Sequence, residues 1–142
     1  MHTDASTTSY LENAVLSAPP EKLVVMLYDG TLRFLHQAIE HIRSGDMAES
    51  TRLIGRARTI VKELMVSLKT DAGRIACDLQ ALYLFVYEKL VEVNFSKREE
   101  DIRKIIALLR PLRDAWAEAA GKRAGAVDAV VRSNHTVLNV QR

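Results

Sequence analysis

Histidine, cysteine and a Gly-Lys pair are the residues whose chemistry could define a metal or catalytic site in this 142-residue chain. None of its four histidines has a glutamate three positions earlier, the spacing with which helical bundles hold metal ions. His36 and His41 are five residues apart. On a helix with about 100° per residue they would point about 140° apart, too far for one tetrahedral site. We therefore interpret the histidines as surface residues and expect no metal or other cofactor.

The remaining reactive groups do not form a catalytic motif either. Gly121-Lys122 lacks the glycine five positions earlier that a phosphate-binding loop requires, because position 116 is Trp. Cys77, the single cysteine, has no neighbouring histidine to activate it and excludes an internal disulfide. We interpret it as a small buried residue beside a core stripe. The sequence therefore predicts that the protein is not an enzyme.

Composition excludes two further classes of partner. The net charge is only +2, and Lys and Arg are interleaved with Asp and Glu, so we expect no nucleic-acid binding. Apolar runs such as 23–28 are far shorter than the roughly 20 residues that span a bilayer, so we expect no membrane insertion. The first ten residues are polar and do not resemble a signal peptide. A cytoplasmic protein is the expectation.

Hydrophobic residues recur every three or four positions in four segments, which is the spacing of one helix face. The four stripes are Val25, Tyr28, Leu32, Leu35, Ile39 and Ile42; Ile54, Ala57, Val61, Leu64 and Leu68; Ile75, Leu79, Leu82, Val86, Leu90 and Val93; and Ile102, Ile105, Leu109, Leu112, Trp116 and Ala119. Short connections make neighbouring helices antiparallel. We predict an all-α, up-down four-helix bundle over residues 19–120, with mobile tails at 1–18 and 121–142.

Two connections carry the sequence pattern of a helix start. Gly45 ends the first predicted helix, and Asp46 with Glu49 resembles a capping box that opens the second. Ser96 with Glu99 predicts a full capping box for the fourth helix. Pro111 cannot donate a hydrogen bond to the Ala107 carbonyl, so we expect a kink or local loosening there.

The third and second helices have more apolar residues than one core requires. On the third helix a second stripe lies to one side of the core direction, and methionines flank the second helix. The candidate groove residues are Met47, Ile54, Met65, Tyr83, Leu84, Phe85, Tyr87 and Val91. The pattern fits a groove that accepts a partner's helix. It equally fits a helix buried on three sides, and the sequence leaves both readings open.

A short apolar group in the N-terminal tail, Tyr10, Leu11, Val15 and Leu16, precedes Pro19 and Pro20. These side chains would be unfavourable in water, so we expect them to dock on the bundle. They could cap the groove when no partner is bound, or act as a structural clasp.

The quoted residues resemble a known family. The run from Ser17-Ala18-Pro19-Pro20-Glu21 through Met26-Leu27-Tyr28-Asp29-Gly30 is similar to the opening of the flagellar secretion chaperone family, FliS. Three later blocks, at 63–68, 75–83 and 112–116, resemble the same family in the same order. The resemblance covers about residues 10–120.

This resemblance implies a cytoplasmic, antiparallel four-helix bundle that binds newly made flagellin. The chaperone would hold flagellin's C-terminal segment in hydrophobic grooves, prevent premature polymerisation and assist flagellar type III secretion. Its N-terminal segment would cap part of the same surface. Contacts with the export gate or other flagellar proteins stay open, as does a monomer or weak dimer. The alternative is a homodimeric adaptor bundle without a flagellin client.

Overall fold

Four long α-helices make up the computed structural model, which describes residues 20–68, 73–121 and 131–134. Helix α1 spans Pro20–Arg43, α2 Met47–Ser67, α3 Arg74–Ser96 and α4 Glu99–Gly121. Helix α1 packs against α2 and α4, and α2 packs against α3. The described residues contain no strand. The predicted all-α, antiparallel four-helix bundle is confirmed.

The core is formed by the predicted stripes. Its most deeply buried side chains come from all four helices: Tyr28, Leu35, Ile54, Val61, Leu64, Leu82, Tyr83, Val86, Leu90, Ile102, Leu109 and Leu112. Burial of each Val, Leu or Ile contributes roughly 1.5–3 kcal/mol, so this shared core drives helix association. A Cβ added at Gly30 would lie 3.2 Å from Ile60 Cδ1, so glycine permits a close approach of α1 to α2.

At the α1–α2 connection, backbone hydrogen bonds cap the end of α1 and a side chain caps the start of α2. Gly45 takes φ 83°, and the Asp46 and Gly45 amides donate to the carbonyls of His41 and Ile42. This pattern is a Schellman motif, which glycine favours because it has no Cβ. The Asp46 side chain accepts a hydrogen bond from the Glu49 amide at 3.2 Å, as an N-cap should.

The predicted capping box at Ser96 and Glu99 is wrong. Ser96 is the last residue of α3, and its Oγ accepts from the Arg98 amide at 3.4 Å. The Glu99 carboxylate accepts hydrogen bonds from Arg43 at 2.7 Å and from Arg103 at 2.9 Å. Two guanidinium partners outcompete a single backbone amide, because charge-assisted hydrogen bonds are about twice as strong as neutral ones.

Helices α3 and α4 pack less closely against each other than the other consecutive helices do, although only two residues connect them. A turn of helix at residues 131–134 lies beside α4. Val131 is 2% exposed and belongs to the main core cluster. Residues 131–134, which the sequence places in the C-terminal tail, thus pack on the bundle.

Candidate partner-binding site

A groove of about 770 Å³ opens where α3 and α4 diverge. We call it the α3–α4 groove and define it by the residues that line it: Phe85, Lys89, Glu92, Val93, Ser96, Arg98, Asp101, Lys104, Ile105, Ala107, Leu108 and Asn134. Phe85, Val93, Ile105 and Leu108 make its apolar part, and charged side chains surround them. A groove with an apolar centre and a polar rim has the composition of a protein-binding site.

The rim of the α3–α4 groove carries both signs of charge. Lys89 Nζ lies 3.2 Å from a Glu92 carboxylate oxygen and 5.5 Å from the centre of the Phe85 ring. Lys104 Nζ lies 3.8 Å from an Asp101 oxygen. These pairs are exposed and contribute little stability, about 0–1 kcal/mol each. Positive and negative side chains therefore alternate along the rim around the apolar centre.

Pro111 removes one hydrogen-bond donor from α4 near the groove. Helix α4 continues through this proline, which has no N–H to donate to the carbonyl of Ala107, four residues earlier. Ala107 is an exposed residue that lines the groove. The Ala107 carbonyl, in the α4 wall of the groove, therefore lacks the donor that a helix normally supplies four residues later.

A second apolar surface lies on the opposite flank of α3. Leu84, Tyr87, Val91 and Phe95 follow one another at helical spacing, and we call them the apolar shoulder. Leu84 is 47% exposed, Val91 41% and Phe95 94%. The Arg58 guanidinium of α2 lies 5.8 Å from the centre of the Tyr87 ring, which places this flank on the α2 side. Helix α3 thus presents apolar side chains on both flanks.

The predicted groove residues therefore separate into several groups. Leu84, Tyr87 and Val91 lie on the apolar shoulder, and Phe85 lies in the α3–α4 groove. Met47 is exposed at the first position of α2, and Met65 is half-buried against the core. The sequence placed these residues in one groove, whereas the structure divides them between two flanks of α3 and the two ends of α2.

Two of the predicted groove residues belong to the core. Ile54 is 0% exposed and Tyr83 is 1% exposed, so their side chains are not available to a partner at the surface. Ile54 continues the buried stripe of α2, and the Tyr83 ring packs at 6.1 Å from that of Tyr28. The hydroxyl groups of Tyr28 and Tyr83 are hydrogen-bonded at 2.7 Å. Burial raises the pKa of both phenols above the ordinary value, so both remain neutral.

A smaller pocket of about 260 Å³ lies at the end of the bundle where α1 begins. Pro20 and Val24 of α1 line it together with Leu68, Ile75 and Trp116. The predicted cap residues Tyr10, Leu11, Val15 and Leu16 lie outside the described residues, so their docking stays a prediction. The pocket is adjacent to the point where the N-terminal segment joins the bundle.

Sequence reasoning missed the most exposed apolar side chain and the α4 wall of the groove. Phe95 follows Val91 by four positions and could have been found by extending the second stripe of α3 by one turn. Leu108 lies beside the core stripe of α4. The sequence pattern of α4 cannot show that the neighbouring helix α3 diverges from it at this point. Cys77, predicted to be buried, is exposed.

Among the described residues, no group of three or more His, Cys, Asp or Glu side chains could hold a metal ion. No helix in this part of the chain is both long and apolar enough to cross a membrane.

The family described as "Flagellar protein FliS" matches residues 2–123, which include all four helices. The chain belongs to the FliS family. It is 30% identical to the flagellar secretion chaperone FliS of Bacillus subtilis over 79% of this chain and 84% of that protein. It is also 30% identical to the Campylobacter jejuni chaperone, over 83% and 93% of the two chains, and 28% identical to that of Salmonella typhimurium, over 86% and 95%.

Membership of the FliS family assigns the general activity. The protein is a flagellar secretion chaperone and not an enzyme. The α3–α4 groove and the apolar shoulder are accordingly considered as surfaces for a protein client.

Proposed function

We propose that this FliS-family chaperone binds the C-terminal segment of flagellin in the cytoplasm and keeps it unpolymerised until export. One observation carries the proposal: α3 exposes apolar side chains on both flanks in a bundle whose core is already filled. A monomer that needed only a folded core would place charged residues at Leu84, Val91 and Phe95.

The two surfaces suit a client that wraps around the bundle. A segment that is disordered alone can bury its apolar residues only by ordering against a partner, which costs about 2–5 kcal/mol and requires roughly 1,000–3,000 Å² of buried surface. The α3–α4 groove alone is too small for such an area. A client that continues across α3 onto the apolar shoulder would bury more, and it would hide the face with which it contacts other subunits.

Hydrogen bonding favours a client that is helical in the groove but ends or bends near Ala107. A regular helix uses its own amides internally, whereas the first turn of a helix has free N–H groups. The Ala107 carbonyl, which lacks a donor from Pro111, is a suitable acceptor for such a group. Apolar side chains spaced three and four residues apart would then contact Phe85, Ile105 and Leu108.

We also propose that the N-terminal segment caps part of the client surface. Leu16 is four residues from Pro20, and four extended residues span at most about 14 Å. This length lets Leu16 reach the pocket formed by Val24, Leu68 and Ile75. Competition between this segment and a part of flagellin that reaches this pocket would keep the pocket covered in the free chaperone.

The proposal is tested by titrating the protein with a peptide from the C-terminus of the same cell's flagellin in a calorimeter. Leu84→Asp and Val91→Asp place charge on the shoulder, and Ala107→Asp places it in the groove. Each should weaken binding by about tenfold or more, since interface anchors contribute about 1.4 kcal/mol or more each. These positions are exposed, so the thermal midpoint should change little.

Ala81→Asp is the matched control, because Ala81 is an exposed α3 residue outside both surfaces. Equal weakening by Ala81→Asp, or unfolding by all three surface variants, would contradict the assigned surfaces. In a stopped-flow experiment with the same peptide, deletion of residues 1–16 should speed association, and an unchanged rate would indicate a structural clasp. A tight dimer that the peptide neither binds nor dissociates would favour the adaptor alternative.

A further inference from the structure

The turn of helix at residues 131–134 already contacts the α3–α4 groove. Asn134 Nδ2 donates a hydrogen bond to the Leu108 carbonyl oxygen at 3.1 Å, and Asn134 is one of the residues that line the groove. Val131, three positions earlier, is 2% exposed and packs with the core cluster. Residues three apart lie on the same face of a helix, so this turn presents one apolar group and one amide to the bundle.

The position of the turn is explained by the gap between α3 and α4. Helices α3 and α4 pack sparsely, so the apolar groups between them lack neighbours. The turn adds the buried Val131 side chain to the core cluster. It bonds to the Leu108 carbonyl, next to the Ala107 carbonyl that Pro111 leaves without a donor. Residues 131–134 thus attach to α4 next to the position where Pro111 removes one helical hydrogen-bond donor.

We propose that residues 131–134 are a built-in, displaceable occupant of the Leu108 end of the α3–α4 groove, and that a client extends along the groove by replacing them. The part concerning the client depends on the proposed function; the occupancy does not. Because the turn is covalently attached, its effective concentration at the groove is on the order of millimolar, so even weak contacts keep it in place.

The contacts of the turn also define what should replace it. The incoming segment needs an apolar residue at the site of Val131. Three positions later it needs a side-chain hydrogen-bond donor that reaches the Leu108 carbonyl, as Asn134 does. A client segment with this spacing would restore the same burial and the same hydrogen bond, so the groove would not be left with an uncovered apolar surface.

Full-length variants separate this proposal from a purely structural tail. Val131→Ala shortens the buried side chain, and Asn134→Ala removes the hydrogen bond. Ser133→Ala is the control, because Ser133 is an exposed residue of the same turn. The first readout is fluorescence of the apolar dye anilinonaphthalene sulfonate, which needs no client. The second is the dissociation constant of the flagellin C-terminal peptide, and circular dichroism checks that each variant is folded.

We expect Val131→Ala and Asn134→Ala to raise dye fluorescence and to tighten peptide binding by about three- to tenfold, because in a larger fraction of molecules the turn has left the Leu108 end of the groove. Ser133→Ala should change neither. Unchanged dye fluorescence in a folded Asn134→Ala variant would overturn the occupancy. Raised fluorescence with unchanged peptide affinity would overturn the displacement. If the peptide binds to no form of the protein, the proposed function fails, and the dye result still decides the occupancy.

Discussion

The hydrogen bond between Tyr28 and Tyr83 gives the sharpest test of how the core is built. The two hydroxyl groups are 2.7 Å apart, and the residues are 0% and 1% exposed. Neither hydroxyl can exchange its partner for bulk water without opening the bundle. We consider the variants Tyr28→Phe and Tyr83→Phe, singly and together, since phenylalanine removes the hydroxyl and keeps the ring.

Each single substitution should be more harmful than the double one. A single change leaves one buried hydroxyl without its partner, which costs about 1–3 kcal/mol of the free energy of unfolding. The double change removes both polar groups and should cost about 0–1 kcal/mol. The two single losses together exceed the double loss by at least about 1 kcal/mol, a coupling energy of the size found for residues in contact. A single variant should therefore melt several degrees lower, at about 3 °C per kcal/mol.

Urea unfolding at neutral pH, followed by circular dichroism, measures all four proteins. Burial raises the pKa of both phenols, so both hydroxyl groups are neutral under these conditions and the comparison involves no charge. A double variant whose loss equals the sum of the two single losses would refute the reasoning. Such additivity would mean that each hydroxyl finds another partner once the first is removed.

Two further predictions concern an ion-paired carboxylate and a helix glycine. Hydrogen bonds from Arg43 and then Arg103 lower the pKa of Glu99 to about 2. Its stabilising contribution is therefore present above about pH 4.3, the unfolded value, and is lost as the pH falls towards about 2. As the pH is lowered over this range, the melting temperature of Glu99→Gln should fall less steeply than that of wild type. An equally steep fall would contradict the lowered pKa of Glu99. Glu100→Gln is the control. Gly55→Ala, where nothing lies within 4 Å of the added Cβ, should raise the free energy of unfolding in urea by about 0.5–1 kcal/mol. A loss of stability there would be inconsistent with the open space.

The sequence by itself determined the four helices and the side of each that is buried. Stripes such as Leu82, Val86 and Leu90 carry this information because burial of apolar area is favourable whichever neighbour supplies it. The cap at Asp46 was predictable for a similar reason, since an N-cap is a contact between residues only three positions apart. The offset of Leu84 and Val91 from the core stripe also follows from the helical repeat, and both are exposed.

The tertiary structure alone decided which offset side chains remain accessible. A helical repeat gives each side chain's direction from its own axis, but not the distance to the next axis. Tyr83 is buried because the ring of Tyr28 meets it, and Phe85 borders a groove because α4 diverges from α3. Glu99 departed from its capping pattern because Arg43, 56 residues away in the chain, supplies a stronger partner. The contact of residues 131–134 with α4 depends on the same long-range packing, which no local spacing encodes.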